Sequence, residues 1–254
     1  MISPEKGEQA SVHLSYEMVA LSPGAAEELG FRISDEDRQK SFIEMSGRKG
    51  LGVKADDLID RLEANALLEV ESRHPNLSET EKREAAHIIA VGALRYFLLK
   101  FTRNRVIVFD FKEALSFEGE TGCFCQYSAV RANSIFRKLA DGDLERAIKL
   151  ISEKTSQLAD VFNTESGHEI WSLIILALRL EEVIANAVTN AEPAILAKYT
   201  FNLAKAFNLF YHNHKIISEE NETKRAVLIL TADLTRRSLT AALNCLGIEV
   251  PERM

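Results

Sequence analysis

The sequence predicts a mainly α protein, a helical bundle with a small β-containing segment at its N-terminal end. Three observations carry this. From about Ala55 onward, apolar residues recur at helical spacing in runs of about 15–25 residues joined by short breaks. Five prolines and twelve glycines in 254 residues are few, and a sandwich or barrel needs a turn signal every ~8–12 residues. Extended patterns are confined to the first 45 residues and to Arg105–Phe111.

Taken in order, Ser11–Leu21 alternates loosely and is β-branched and aromatic enough for a strand, which Ser22-Pro-Gly breaks. Ser41–Met45 reads as a second short strand. Two strands do not make a stable sheet, so this opening is expected to be the edge of something larger, or a cap. Asp56 and Asp57 favour a helix start, and Leu58, Leu62, Leu67 and Val70 continue it to His74-Pro75. Ser78-Glu-Thr-Glu81 is a capping box opening a helix with a broad apolar face through Phe101. Arg105–Phe111 reads as extended. Further helices are expected over about Cys123–Ala140, Leu144–Phe162, Glu169–Ala191, Pro193–His212 and Glu220–Leu246. Pro193 suits a first turn and Gly247 a helix end.

A net charge of −7 with 46% hydrophobic residues is ordinary globular chemistry, not disorder. The apolar run near Ser172–Leu178 is too short for a bilayer, which takes ~20 residues. Three cysteines without framework spacing point to a reducing compartment, so a cytoplasmic location is expected. Cys123-x-Cys125 with a distant Cys245 does not make a zinc site, and no metal is expected. The acidity speaks against a non-specific nucleic-acid coat, but not against a local basic site. Basic residues cluster in Arg95–Lys112, at Arg131, Arg137 and Lys138, and at Lys224, Arg225, Arg236 and Arg237. Each cluster taken alone reads as a solvated helix face.

Met45-Ser-Gly-Arg-Lys-Gly-Leu-Gly52 is the most informative stretch. Its glycines let backbone amides approach a phosphate, and Arg48 and Lys49 supply charge. It is neither a Walker A loop nor G-x-G-x-x-G. On chemistry alone a basic glycine-rich loop is most often just surface.

Met45-Ser-Gly-Arg-Lys-Gly resembles the KMSKS loop of class I synthetases in its arginyl-tRNA synthetase form. The resemblance continues through Gly92-Ala-Leu-Arg-Tyr96, Phe109-Asp-Phe111, Leu115–Gly122, Gln126-Tyr127 and Arg131. Leu176-Ala-Leu-Arg-Leu180 is similar to the box that names the DALR domain, Phe201–Tyr211 to the family's aromatic helix, and Leu246–Met254 to its chain terminus. The matches run over essentially the whole chain. Glu44 and Gly47 stand where the loop's two lysines would be. No H-x-G-H motif occurs, so the chain corresponds to a C-terminal half whose HIGH-containing catalytic half is absent.

The resemblance implies three parts: a catalytic-domain edge with the phosphate loop at 1–54, a helical connective segment at 55–140, and a DALR-type anticodon-binding domain at 141–254. It implies tRNA(Arg) as partner, with Gln126, Tyr127, Arg131, Tyr211 and Met254 at the anticodon stem-loop. Arg48 and Lys49, with Met45, Ser46 and Gly47, would act on ATP phosphates, with Mg2+, only within a complete enzyme. Alone the chain is expected to be inactive, and a separately encoded catalytic half is a candidate partner. Neither membrane nor DNA is expected. Tyr199 shares a face with Leu203 and Phe207 and reads as core. Arg179, in an apolar helix, reads as a paired structural residue. His212-x-His214 reads as a solvated helix end. The rival readings are a stand-alone, non-catalytic tRNA-binding or regulatory module and a helical protein-interaction module that has lost RNA.

Overall fold

The computed structural model describes residues 13–44 and 52–254. Most of the described chain is helix. Strand β1, Val19–Leu21, pairs in parallel with β2, Ile107–Phe109, with Leu21 opposite Phe109. The expected Ser41–Met45 strand reduces to a single antiparallel bridge between Leu21 and Ile43, and Met45 lies outside the described residues. The first strand is also shorter than the alternation suggested. Its partner is supplied from 88 residues further along, so only the three residues facing β2 gain a ladder. Helices α1 (Pro23–Glu28) and α2 (Asp35–Arg38) follow β1, each capped by a serine hydroxyl, Ser22 and Ser34. Short α5 (Phe111–Ala114) follows β2 and is capped by Asp110, which also accepts from the Ser22 hydroxyl at 2.6 Å.

Helix α3 (Ala55–Arg73) pairs with α4 (Glu79–Leu99). The capping box is formed: the Ser78 Oγ accepts from the Glu81 amide at 3.3 Å, and Glu81 accepts from the Ser78 amide at 2.9 Å. Leu62, Phe97, Phe109 and Phe111 form the core around the two strands, with edge-on aromatic contacts at 5.1 Å from Phe109 to Phe97 and to Phe111.

Helix α6 (Gly122–Lys138) leads into the larger core. Gly122 makes the α4–α6 crossing close: a Cβ there would lie 2.6 Å from the Gly92 carbonyl oxygen. The expected single helix over 144–162 is α7 (Asp143–Glu153), a 3₁₀ turn at Thr155–Gln157, and α8 (Leu158–Phe162). The Thr155 hydroxyl bonds back to the Ile151 and Ser152 carbonyls, so side chains compete with the helix ladder where it stops. The expected helix over 169–191 begins earlier and is two: α9 (Glu165–Leu178), capped by Thr164, and α10 (Leu180–Thr189). Tyr199 explains the break, because its hydroxyl lies 3.0 and 3.1 Å from the Leu176 and Ala177 carbonyls.

Helices α11 (Pro193–Asn213) and α12 (Glu222–Cys245) complete the bundle. Phe207, Phe210, Leu203, Leu228 and Leu239 are fully buried at its centre, each contributing on the order of 1.5–3 kcal/mol. Gly247, at φ +69°, turns the chain back, and the tail from Ile248 runs along α6 to Met254.

Candidate nucleic-acid interface

Tyr127 and Arg131 lie one turn apart on α6, and Asn208 and Tyr211 lie three residues apart on α11. Where the two helices pack, their side chains meet. The Arg131 guanidinium sits 4.7 Å from the centre of the Tyr127 ring and 5.1 Å from that of Tyr211, so two rings flank one cation. Arg131 Nη1 donates to Asn208 Oδ1 at 2.7 Å, and Nη2 donates to the Tyr127 hydroxyl at 3.2 Å. Among the described residues no carboxylate lies within ion-pair distance of Arg131. Tyr211 is 37% exposed and Tyr127 is half-buried, so the arrangement opens to solvent. The edge continues past Tyr127: Phe117 meets its ring edge-on at 6.2 Å, and Arg73 lies 4.3 Å over Phe117.

The other basic clusters differ. Arg225 pairs with Asp143 at 2.9 Å, Arg236 and Arg237 with Asp233 at 2.7 and 2.8 Å, and Lys224 with Glu219 at 3.1 Å. In the first cluster Lys100 pairs with Glu113 at 2.8 Å and Arg103 with Glu192 at 3.8 Å. The four bases of the Lys224–Arg237 cluster are thus all answered within the protein, and two of the five in Arg95–Lys112. Arg131, Arg137 and Lys138 on α6 have no such carboxylate among the described residues.

The other expected site residues are Gln126, Met254 and the residues of the basic loop. Gln126 is fully buried, and its amide nitrogen donates to the carbonyls of Ile88 at 3.1 Å and Glu249 at 2.8 Å. It cannot touch RNA; neighbouring Tyr127 in sequence places it about 100° round the helix, facing α4 and the tail. Met254 buries its side chain among Val70, Ile89, Cys123 and Val130, beneath the Phe117–Tyr127 edge. Met45, Ser46, Gly47, Arg48 and Lys49 lie outside the described residues.

Tyr199 is buried, as its spacing suggested. Its hydroxyl pKa is pushed up to about 12 by burial. Arg179 is paired with Glu182 at 3.0 Å, but in the open, with 54% of its side chain exposed, because the helix ends there. His214, expected in solvent, is buried beside Phe210. Cys123 and Cys125 are separate buried thiols; burial pushes Cys123 up to about 12 and Cys125 higher. Among the described residues no three histidine, cysteine or carboxylate groups gather for a metal, and no helix is long and apolar enough to cross a membrane. Sequence reasoning missed Asn208 and Phe117. Asn208 was readable as a neighbour of Tyr211 at i+3; Phe117, in a loop, carried no such signal.

Residues 125–254, just over half of the chain, match the DALR anticodon binding domain. The chain belongs to that family. It is 36% identical to the arginine–tRNA ligase of Pyrococcus furiosus over 213 residues, 82% of this chain and 32% of that relative. It is 31% identical to that of Bacteroides thetaiotaomicron over 245 residues, 96% of this chain and 36% of the relative. The Thermus thermophilus arginyl-tRNA synthetase structure superposes with a TM-score of 0.73 at 27% identity, covering 99% of this chain and 37% of that one. The DALR-family chain thus spans about a third of the length of the curated relatives it matches, and corresponds to a C-terminal part of arginyl-tRNA synthetases.

Proposed function

We propose that this chain binds tRNA(Arg) at the anticodon stem-loop through the edge formed by Tyr127, Arg131 and Tyr211, as the C-terminal part of a cytoplasmic arginine–tRNA ligase. The observation that carries the reading is Arg131, held between two tyrosines with no carboxylate beside it among the described residues. RNA-binding surfaces stack unpaired bases on aromatic rings and meet phosphates with arginine. Here the two chemistries stand within one side-chain length.

The Met45-Ser-Gly-Arg-Lys49 loop would contribute Arg48 and Lys49 to ATP phosphates, with Mg2+, in arginine activation by the complete enzyme; sequence resemblance is what supports that role. These 254 residues contain no H-x-G-H motif, so on their own they should give no arginine-dependent ATP–pyrophosphate exchange. Partnership with a catalytic half is supported by the exposed Leu14, Tyr16, Met18 and Val19 beside a two-stranded parallel sheet. Parallel sheets are ordinarily covered on both faces.

The test is a titration against tRNA(Arg) and a tRNA of another specificity at two salt concentrations. Selective, salt-sensitive binding that Arg131→Ala weakens supports the reading. Equal binding to both, or binding indifferent to Arg131, overturns it.

A further inference from the structure

Among the described residues, every other arginine whose side chain is hydrogen-bonded or ion-paired to another side chain is bound to a carboxylate. Arg61 is bound to Glu28, Arg103 to Glu192, Arg179 to Glu182, and Arg225 to Asp143. Arg131 alone among them is held by an amide and a phenol. We infer that Asn208 is a positioning residue that fixes Arg131 without cancelling its charge, leaving the guanidinium to meet an RNA phosphate. The inference rests on the proposed tRNA reading and names how that site keeps its cation.

The amide orientation follows from the hydrogen-bond chain. The Ser128 hydroxyl donates to the Phe124 carbonyl at 2.7 Å, inside α6. Its oxygen is then free to accept, and Asn208 Nδ2 donates to it at 2.7 Å. The amide nitrogen is committed to Ser128, so Oδ1 must face Arg131. An arginine has five N–H donors. Asn208 and Tyr127 take two, and three remain. The Tyr127 hydroxyl, having accepted from Arg131, still has its own proton to donate. An aspartate in the same place would hold the guanidinium as firmly, and would neutralise it.

That contrast supplies the experiment. Asn208→Asp keeps the anchor and removes the net charge. In the full chain we expect an unchanged or higher melting temperature, roughly tenfold weaker tRNA(Arg) binding at low salt, and a binding-versus-salt slope flattened by about 0.7–0.9, one phosphate contact. Arg131→Ala should flatten the slope by the same amount, and the double variant by no more than either. Asn208→Gln, which keeps a neutral amide, should restore most of the affinity and the full slope. Ser128→Ala gives an independent arm: with its partner gone the amide is free to flip, and affinity should fall by a smaller factor with folding intact.

A merely structural Asn208 predicts the opposite pattern, with binding and slope unchanged in Asn208→Asp wherever the protein folds; that result overturns the inference. Loss of salt-sensitive binding in Arg131→Ala alone, with Asn208→Asp like wild type, would leave the tRNA reading standing and remove only Asn208's role. No salt-sensitive tRNA binding by wild type would remove both.

Discussion

The amide nitrogen of Gln126 donates to the backbone carbonyl of Glu249, 2.8 Å away and 123 residues later in the chain. It also donates to the Ile88 carbonyl of α4, so one buried side chain ties three segments together. With both amide protons used on carbonyls, Oε1 is left buried without a partner. The site therefore depends on the nitrogen. Gln126→Leu should lower stability by about 1–3 kcal/mol, since the Ile88 and Glu249 carbonyls both lose the donor that joins them. Urea unfolding measures the loss. Carboxypeptidase digestion should release Met254 faster than in wild type. An unchanged digestion rate would show that the tail is held by packing alone.

The α4–α6 crossing rests on two glycines. A Cβ at Gly122 would meet the Gly92 carbonyl oxygen at 2.6 Å and the Tyr96 Cβ at 2.9 Å, both belonging to buried residues of α4. A Cβ at Gly92 would fall on the Gln126 amide. Gly122→Ala should cost about 1–3 kcal/mol through overpacking, despite alanine's better helix propensity. Gly92→Ala should act additionally through Gln126, so combining it with Gln126→Ala should cost less than the sum of the two. A double-mutant cycle reads this coupling, and strict additivity would contradict it.

These contacts show which parts of the fold a sequence carries openly. The capping box at Ser78 is local, so four letters suffice to find it. The pairing of Val19–Leu21 with Ile107–Phe109 is not local, and the alternation around Ser11 could suggest a strand but not its partner. The break at Arg179 is invisible in an uninterrupted apolar run, because the hydroxyl responsible for it, Tyr199, stands two helices further on. At the candidate site, Tyr127 and Arg131 are readable together from their i, i+4 spacing. That Arg131 then meets Tyr211 depends on how α6 and α11 cross. Gln126 was misplaced because adjacency in sequence says nothing about which side of a helix a residue faces.

His214 makes stability depend on pH. Its ring is buried, 5.0 Å from that of Phe210, and burial holds its pKa below the usual 6.5. Lys224 pushes in the same direction, while Glu169, 3.8 Å away, and Glu219 oppose it. The unfolded histidine takes up its proton near pH 6.5, the folded one only at lower pH. This contribution is therefore fully present above about pH 6.5 and is lost as pH falls through the lower folded value. Melting temperatures at pH 7.5 and 5.5 should differ more for wild type than for His214→Phe. Equal differences would mean that His214 is not protonated preferentially on unfolding.

Tyr199 and Tyr211 lie twelve residues apart on α11, and the structure assigns them opposite tasks. The Tyr199 hydroxyl is spent on the carbonyls that end α9, in the interior. The Tyr211 ring is exposed and faces a cation. Tyr199→Phe should lower stability by about 1 kcal/mol, by removing a donor from buried carbonyls, and should leave tRNA affinity at the wild-type value. Tyr211→Ala should leave the melting temperature within about a degree or two. It should weaken tRNA binding by roughly tenfold, the loss of one stacked base at about 1–3 kcal/mol. Tyr211→Phe separates ring from hydroxyl: if stacking dominates, it should bind like wild type. Thermal melts and tRNA titrations on the three variants decide the matter. A Tyr211→Ala protein that binds normally would move the RNA contact off this edge, whereas a Tyr199→Phe protein that binds poorly would mean that the α9–α10 junction itself shapes the interface.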